Sequence, residues 1–151
     1  MVNSATHLQY AEYHDSDARA LFEAKQYSWT AVALFYCGMH LVHSGLPYLS
    51  HLTTAQQHPE SHTGVSYKSE GTSNVVRVYA PSIRVPYTSL FDDSIDVRYH
   101  GGRLTRDQAR QHRSVDLTAI AKWAADQITA GGDTVPPWLA GLAGHNLASG
   151  Q

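Results

Sequence analysis

An all-α fold is predicted for this chain by three observations. Apolar residues recur at helical spacing in four long segments, glycine and proline breakers separate those segments, and the one strand-like run, residues 75–79, has no second run to pair with. The expected architecture is an antiparallel up-and-down bundle of four main helices, with a short helix in the connection between the second and third. A length of 151 residues gives room for one domain and one core. The domain is placed at residues 1–131, followed by a Gly/Ala-rich tail at 132–151 whose end is expected to be mobile.

The first helix is expected over residues 4–26, where Leu8, Ala11, Ala18, Leu21 and Phe22 form a stripe and Ser4 or Thr6 caps the start. His14 and Asp15 interrupt that inward face and are read as partners for an arginine in the core. The second helix, 28–43, is apolar on every face from Trp29 to Val42, as befits the centre of a bundle, and a link of about two residues makes the first pair an antiparallel hairpin. Between 47 and 81 the pattern weakens. A short helix is expected over 58–67 and a polar loop over 68–74, and the valine-rich run 75–79 is left as the lead-in to a helix or an extended loop. The third helix is expected over 85–98, with Tyr87, Leu90, Phe91 and Ile95 inward. Thr105 caps the fourth, in which Leu117, Ile120, Ala121, Ala124 and Ile128 repeat until Gly131 and Gly132 stop it, and a short helical turn follows at 137–142.

With 42% hydrophobic and 16% charged residues the chain belongs with globular proteins, and a net charge of −2 argues against a general nucleic-acid coat. Cys37, the one cysteine, allows no internal disulfide and is expected to be a small buried hydrophobe. Residues 2–9 are too polar for a signal peptide and the apolar run 29–42 is too short for a membrane helix, so a cytoplasmic location and no membrane partner are expected.

The basic residues are unevenly spent. Five of the eight arginines fall between Arg98 and Arg113. Extending the Leu117 stripe backward passes through Arg113, Arg110 and Arg106, with Arg103 just before the cap. At ~100° per residue all four lie within about 40° of the Leu117 direction. Such charges require carboxylate partners, for which Asp92, Asp93 and Asp96 are nearest to hand, or an opening onto a phosphate-bearing ligand, or a second subunit.

Several segments together resemble the HEPN domains. The run SWTAVALFYCGMHLV at 28–42 is similar to their second helix, with the characteristic histidine at His40, and His62 in the next connection also matches. YTSLFDDSIDVRY at 87–99 is similar to their Y-x-x-L-x-x-x-S-x-x-A-R-Y stretch, aligning Ser94, Arg98 and Tyr99, and Leu117, Ile120 and Trp123 complete a likeness spanning residues 8–128. The resemblance implies a helical bundle that forms homodimers and binds a nucleotide or RNA, in a bacterial stress or conflict system beside a partner protein encoded nearby. No cofactor is implied.

Three readings of function follow: a nucleotide- or RNA-binding module, an active metal-independent endoribonuclease, or a non-catalytic structural or regulatory dimer. The expected ligand-binding residues are Arg98, Arg103, Arg110, Arg113, His62, Ser94 and Tyr99. For the nuclease, the resemblance implies an arginine followed four to six residues later by a histidine, which only Arg106 and His112 satisfy, with His40 as a further acid or base. In a continuous helix six steps turn ~600°, which sets those two side chains about 120° apart and points His112 away from the core. His40 is otherwise a satisfied core residue. His58 and His62, four apart, lack a third ligand in the sequence, so no metal site is expected.

Overall fold

The computed structural model describes residues 3–60 and 71–144, and within them every regular element is helical. Helix α1 spans Ser4–Glu23 and α2 Tyr27–Gly45, which a 3-10 turn, Leu46–Tyr48, prolongs. Two short helices, α3 Thr54–Gln57 and α4 Thr72–Tyr79, occupy the connection, and a 3-10 turn, Pro81–Ile83, leads into α5, Arg84–Tyr99. Helix α6, Arg106–Gln111, runs through a π-helical turn, His112–Leu117, into α7, Thr118–Ala130, and α8, Pro137–Leu142, follows. Among the described residues no helix is long and apolar enough to cross a membrane.

Local chemistry explains most boundaries. Asn3, rather than Ser4 or Thr6, caps α1 by accepting the Thr6 N–H at 2.9 Å. Thr105 caps α6 as expected, in a capping box whose other half is Gln108. Between α1 and α2 the chain turns at Lys25, in the left-handed region with φ of 59°, while the Gln26 N–H reaches back to the Leu21 carbonyl.

Helix α2 is the centre, buried along almost its whole length and contacted by α1, α5 and the α6–α7 run. Trp29 departs from the expected all-round burial, because it sits at the open start of the helix and is 51% exposed. Leu90, Leu117 and Ile120 converge on Gly38. Near the far end of α2 the indole of Trp123 lies against Gly45, and a Cβ built there would stand 2.6 Å from the ring. Gly45→Ala would gain up to ~1 kcal/mol of helix propensity in open space. Here it is expected to lose about 1–2 kcal/mol from the clash, read as a lower urea midpoint with unchanged slope.

Residues 75–79, left open between helix and extended loop, are helical. Val75 and Val76 are buried while Arg77 and Val78 face outward, so one-sided burial outweighs the weak helix propensity of the valines. The expected polar loop is corrected at its end, since α4 begins at Thr72. In this connection the structure places α3 just ahead of the short helix expected at 58–67. Residues 61–70, which hold most of that expected helix, lie outside the described residues, as does the tail beyond 144. On α5, Tyr87 and Leu90 are buried as expected, but Ser94 takes a fully buried position and Ile95 lies at its edge. Helix α8 returns to the bundle and buries Leu139.

Candidate functional site

The π-helical turn decides where the arginines point. A π turn, with its i→i+5 hydrogen bonds, holds more residues than an α turn, so each residue contributes less rotation. The buried positions run Ala109, His112, Leu117, Ile120, with a five-residue step where an α-helix would take three or four. Two expectations built on a continuous helix are thereby corrected. Arg106 and Arg110 are exposed, not on the core-side stripe, and His112 is buried, not outward.

His112 is held between two carboxylates. Its Nδ1 lies 2.7 Å from Asp116 Oδ2 and its Nε2 2.5 Å from Asp93 Oδ2, while the Ser89 hydroxyl donates to Asp116 at 3.0 Å. Burial disfavours the charged ring, but the hydrogen bonds to Asp116 and Asp93, with their charge, outweigh it and raise the His112 pKa. Arg113 instead donates to Asp15, a buried carboxylate on α1 that also meets Arg19 at 3.3 Å. The expected pairing of the arginines with Asp92, Asp93 and Asp96 is not what forms. Asp93 goes to His112 and Asp96 faces His100 at 3.8 Å, because α5 and the π turn meet along the His112 side. The alternative partner read from the sequence, Asp15, is the one taken.

Arg110 and Arg113 therefore face α1, and with Arg19 they line a cavity of about 230 Å³. Its wall is apolar, formed by Ala18, Phe22, Leu34 and Ala109, and Glu23 is the acidic residue on its rim. Arg106 stands over the Phe22 ring at 5.5 Å, beside this cleft. Asp15 holds two of the guanidinium groups, those of Arg19 and Arg113, and offsets part of their charge. The arrangement suits a planar, anionic ligand: an apolar ring face with bidentate donors around it. Arg19 was missed in the sequence because it is an exposed charge at the edge of the first helix's inward stripe. Its i,i+4 spacing from Asp15 was the available signal.

The other expected site residues do not join this cleft. Arg98 donates to the Tyr36 hydroxyl at 2.8 Å and to the Ser94 carbonyl at 3.2 Å, with its guanidinium over the Tyr99 and Tyr36 rings. Ser94 Oγ is buried without a hydrogen-bond partner, so it cannot meet a ligand at the surface beside Arg98, whereas Tyr99 is exposed. Arg103 lines a separate opening with Lys25 and Trp29 at the foot of α2. His62 lies outside the described residues. Arg106 and His112, the expected catalytic pair, share no hydrogen bond: one covers Phe22, the other is clamped by Asp93 and Asp116.

His40 is half-buried in a group of rings. Its Nδ1 lies 3.0 Å from His7 Nδ1, and His14 stacks between it and Tyr36. Burial, and secondarily the neighbouring His58, hold the His7 pKa below its ordinary value, while burial lowers that of His14 against the opposing pull of Asp17. His7, His40 and His43 form the one group of three or more potential metal ligands among the described residues. Cys37 is fully buried, and burial pushes its thiol pKa far up, which keeps it unreactive.

Comparison of the chain with known protein families, with curated proteins and with solved structures gives no match. The fold and its cleft define an all-α protein of several long packed helices.

Proposed function

We propose that this chain is a HEPN-like helical domain that binds a nucleotide or RNA through its phosphates at the Arg19–Arg110–Arg113 cleft, and that it does so as a homodimer without cleaving its ligand. The observation that carries the reading is the convergence of three guanidinium groups on an apolar-walled cavity beside Phe22. A base or ring stacks on apolar surface while phosphate oxygens take the arginines, a division of labour common in single-strand and nucleotide recognition. The accompanying fold reading is the antiparallel up-and-down bundle, with α1, α2, α5 and the α6–α7 run as its four members. Two pairs on each side support it, since rising numbers on one helix meet falling numbers on the other: Asp15–Arg113 with Phe22–Arg106 for α1 against the α6–α7 run, and Ser89–Asp116 with Asp93–His112 for α5 against it. The nuclease reading is not preferred, because both His112 nitrogens are engaged by carboxylates and neither is open to a 2′-hydroxyl or a leaving oxygen.

Calorimetric titration with a short single-stranded RNA and with a nucleoside triphosphate, both in EDTA, tests the proposal. Losing one charge-assisted contact of about 1.5 kcal/mol is roughly tenfold in affinity. Arg110→Ala and Arg19→Ala are each expected to weaken binding about tenfold and to flatten its salt dependence. Arg84→Ala, exposed at the start of α5, leaves it unchanged. Equal affinities for all of these proteins, or no binding by the wild type, would remove the cleft as the working surface. Light scattering reads the dimer directly.

A further inference from the structure

Away from the arginine cleft, the first turns of α1 cross the second half of α2 and bring three imidazoles together. The three-residue spacing of His40 and His43 sets both on one face of α2, and His7 meets them from α1. His7 Nδ1 stands 3.0 Å from His40 Nδ1, the His7 and His43 rings are edge-on with centroids 5.0 Å apart, and one ring nitrogen of each residue lies within 4.8 Å of the others. We infer that His7, His40 and His43 bind one divalent transition-metal ion, zinc by preference, with a fourth coordination position open to the adjoining cavity.

Three neutral imidazoles suit zinc and its neighbours rather than magnesium or calcium, which take oxygen ligands. Zinc–nitrogen bonds of ~2.0–2.1 Å in tetrahedral geometry set ligand nitrogens ~3.3 Å apart. The His7–His40 pair is within a few tenths of an ångström of that spacing, and a modest inward movement of His43 completes the set. The rings are already restrained. The buried Thr72 hydroxyl holds His43 Nε2 at 2.8 Å, and His14 stacks on His40 with an interplanar angle of 6°. Hydrogen-bonded outer partners such as Thr72 orient ligating imidazoles and contribute about 10- to 100-fold in metal affinity. A cavity of about 520 Å³ adjoins the group, lined by His7 and His43 together with His58 and Glu60. Three protein ligands with an open fourth position is the pattern of zinc sites that activate a bound water, and His58 and Glu60 are the groups placed beside that position.

The full chain, stripped with EDTA and exchanged into metal-free buffer near neutral pH, is titrated with zinc and followed by calorimetry and thermal unfolding. One equivalent is expected to bind and raise the midpoint, as any ligand specific to the folded state must. His7→Gln and His43→Gln are each expected to lose at least about tenfold in affinity. His51→Gln and His100→Gln, exposed elsewhere, retain it. Cobalt added to the wild type gives the visible bands of a tetrahedral ion, and His7→Gln abolishes them. Far-UV circular dichroism confirms that the variants fold. His7, half-exposed in the first turns of α1, decides the question alone if His43→Gln unfolds. Absence of a one-to-one zinc complex, or equal affinity in folded His7→Gln, overturns the inference and leaves the His7–His40 contact as a hydrogen bond between two rings. Arg19→Ala and Arg110→Ala bind zinc normally, so this result stands or falls separately from the arginine cleft.

Discussion

Phe35→Ala is expected to lower the stability of the folded chain by about 3–5 kcal/mol, the range for deleting a fully buried aromatic ring. Phe35 is completely buried, with Tyr87 and Phe91 of α5 packed edge-on at centroid distances of 6.0 and 5.6 Å. The Arg98 guanidinium lies 5.9 Å from the centre of the same ring. Alanine removes the ring from the place where α2 and α5 meet, and neighbours as large as Tyr87 cannot collapse into the space without leaving their rotamers. Against a total of about 5–15 kcal/mol the loss is large. It is read as a lower urea midpoint and as a thermal midpoint reduced by about 10 °C. A change below about 1 kcal/mol would mean that this α2–α5 contact is not part of the core.

The second large effect concerns His112 and depends on pH. Its folded-state pKa is raised above 6.5. A raised histidine pKa contributes stability that is fully present below the unfolded value and is lost as pH rises through the folded one. The His112 contribution is therefore complete at pH values below about 6.5 and declines above. His7 and His14, with lowered pKa values, act in the opposite sense and in a lower window: protonation of the unfolded chain makes them cost stability below about pH 6.5, a cost that disappears as pH rises to that value. The difference between wild type and His112→Gln isolates the one ring. Gln keeps a polar side chain but leaves Asp93 and Asp116 without a cation between them. Breaking a fully buried pair costs about 3–5 kcal/mol; with Asp93 44% exposed, the expected loss below pH 6.5 is about 2–3 kcal/mol, shrinking toward alkaline pH. Urea midpoints of both proteins across that range give the measurement. A difference independent of pH would show that His112 is not charged between its two partners.

The periodic apolar positions placed the long helices within a few residues, because burial of one face is written locally into spacing. α5 is the clearest case: Tyr87 and Leu90 were expected inside and are inside. Capping was legible at Thr105 for the same reason, since donor and acceptor lie within four residues. The run at 75–79 was not legible, because valines favour a strand by intrinsic preference and only packing against the rest of the chain settles them as helix. The arginines were recognised as a group, but their direction was not. The π turn at His112–Leu117 has no signature in spacing, and one extra residue in a turn moves Arg106 and Arg110 off the inner face while bringing His112 onto it.

Sequence alone therefore determined the helical class, the central place of α2, the burial of Cys37 and the concentration of arginine near the start of the last long helix. These depend on composition and on periodicities a few residues long. Which carboxylate meets which cation, the recruitment of Arg19 to the arginine cleft, and the meeting of His7 with His40 and His43 were decided only by the packed structure. Those contacts join residues far apart in the chain, and their partners are selected by the rotation and crossing of whole helices, which short-range spacing does not encode.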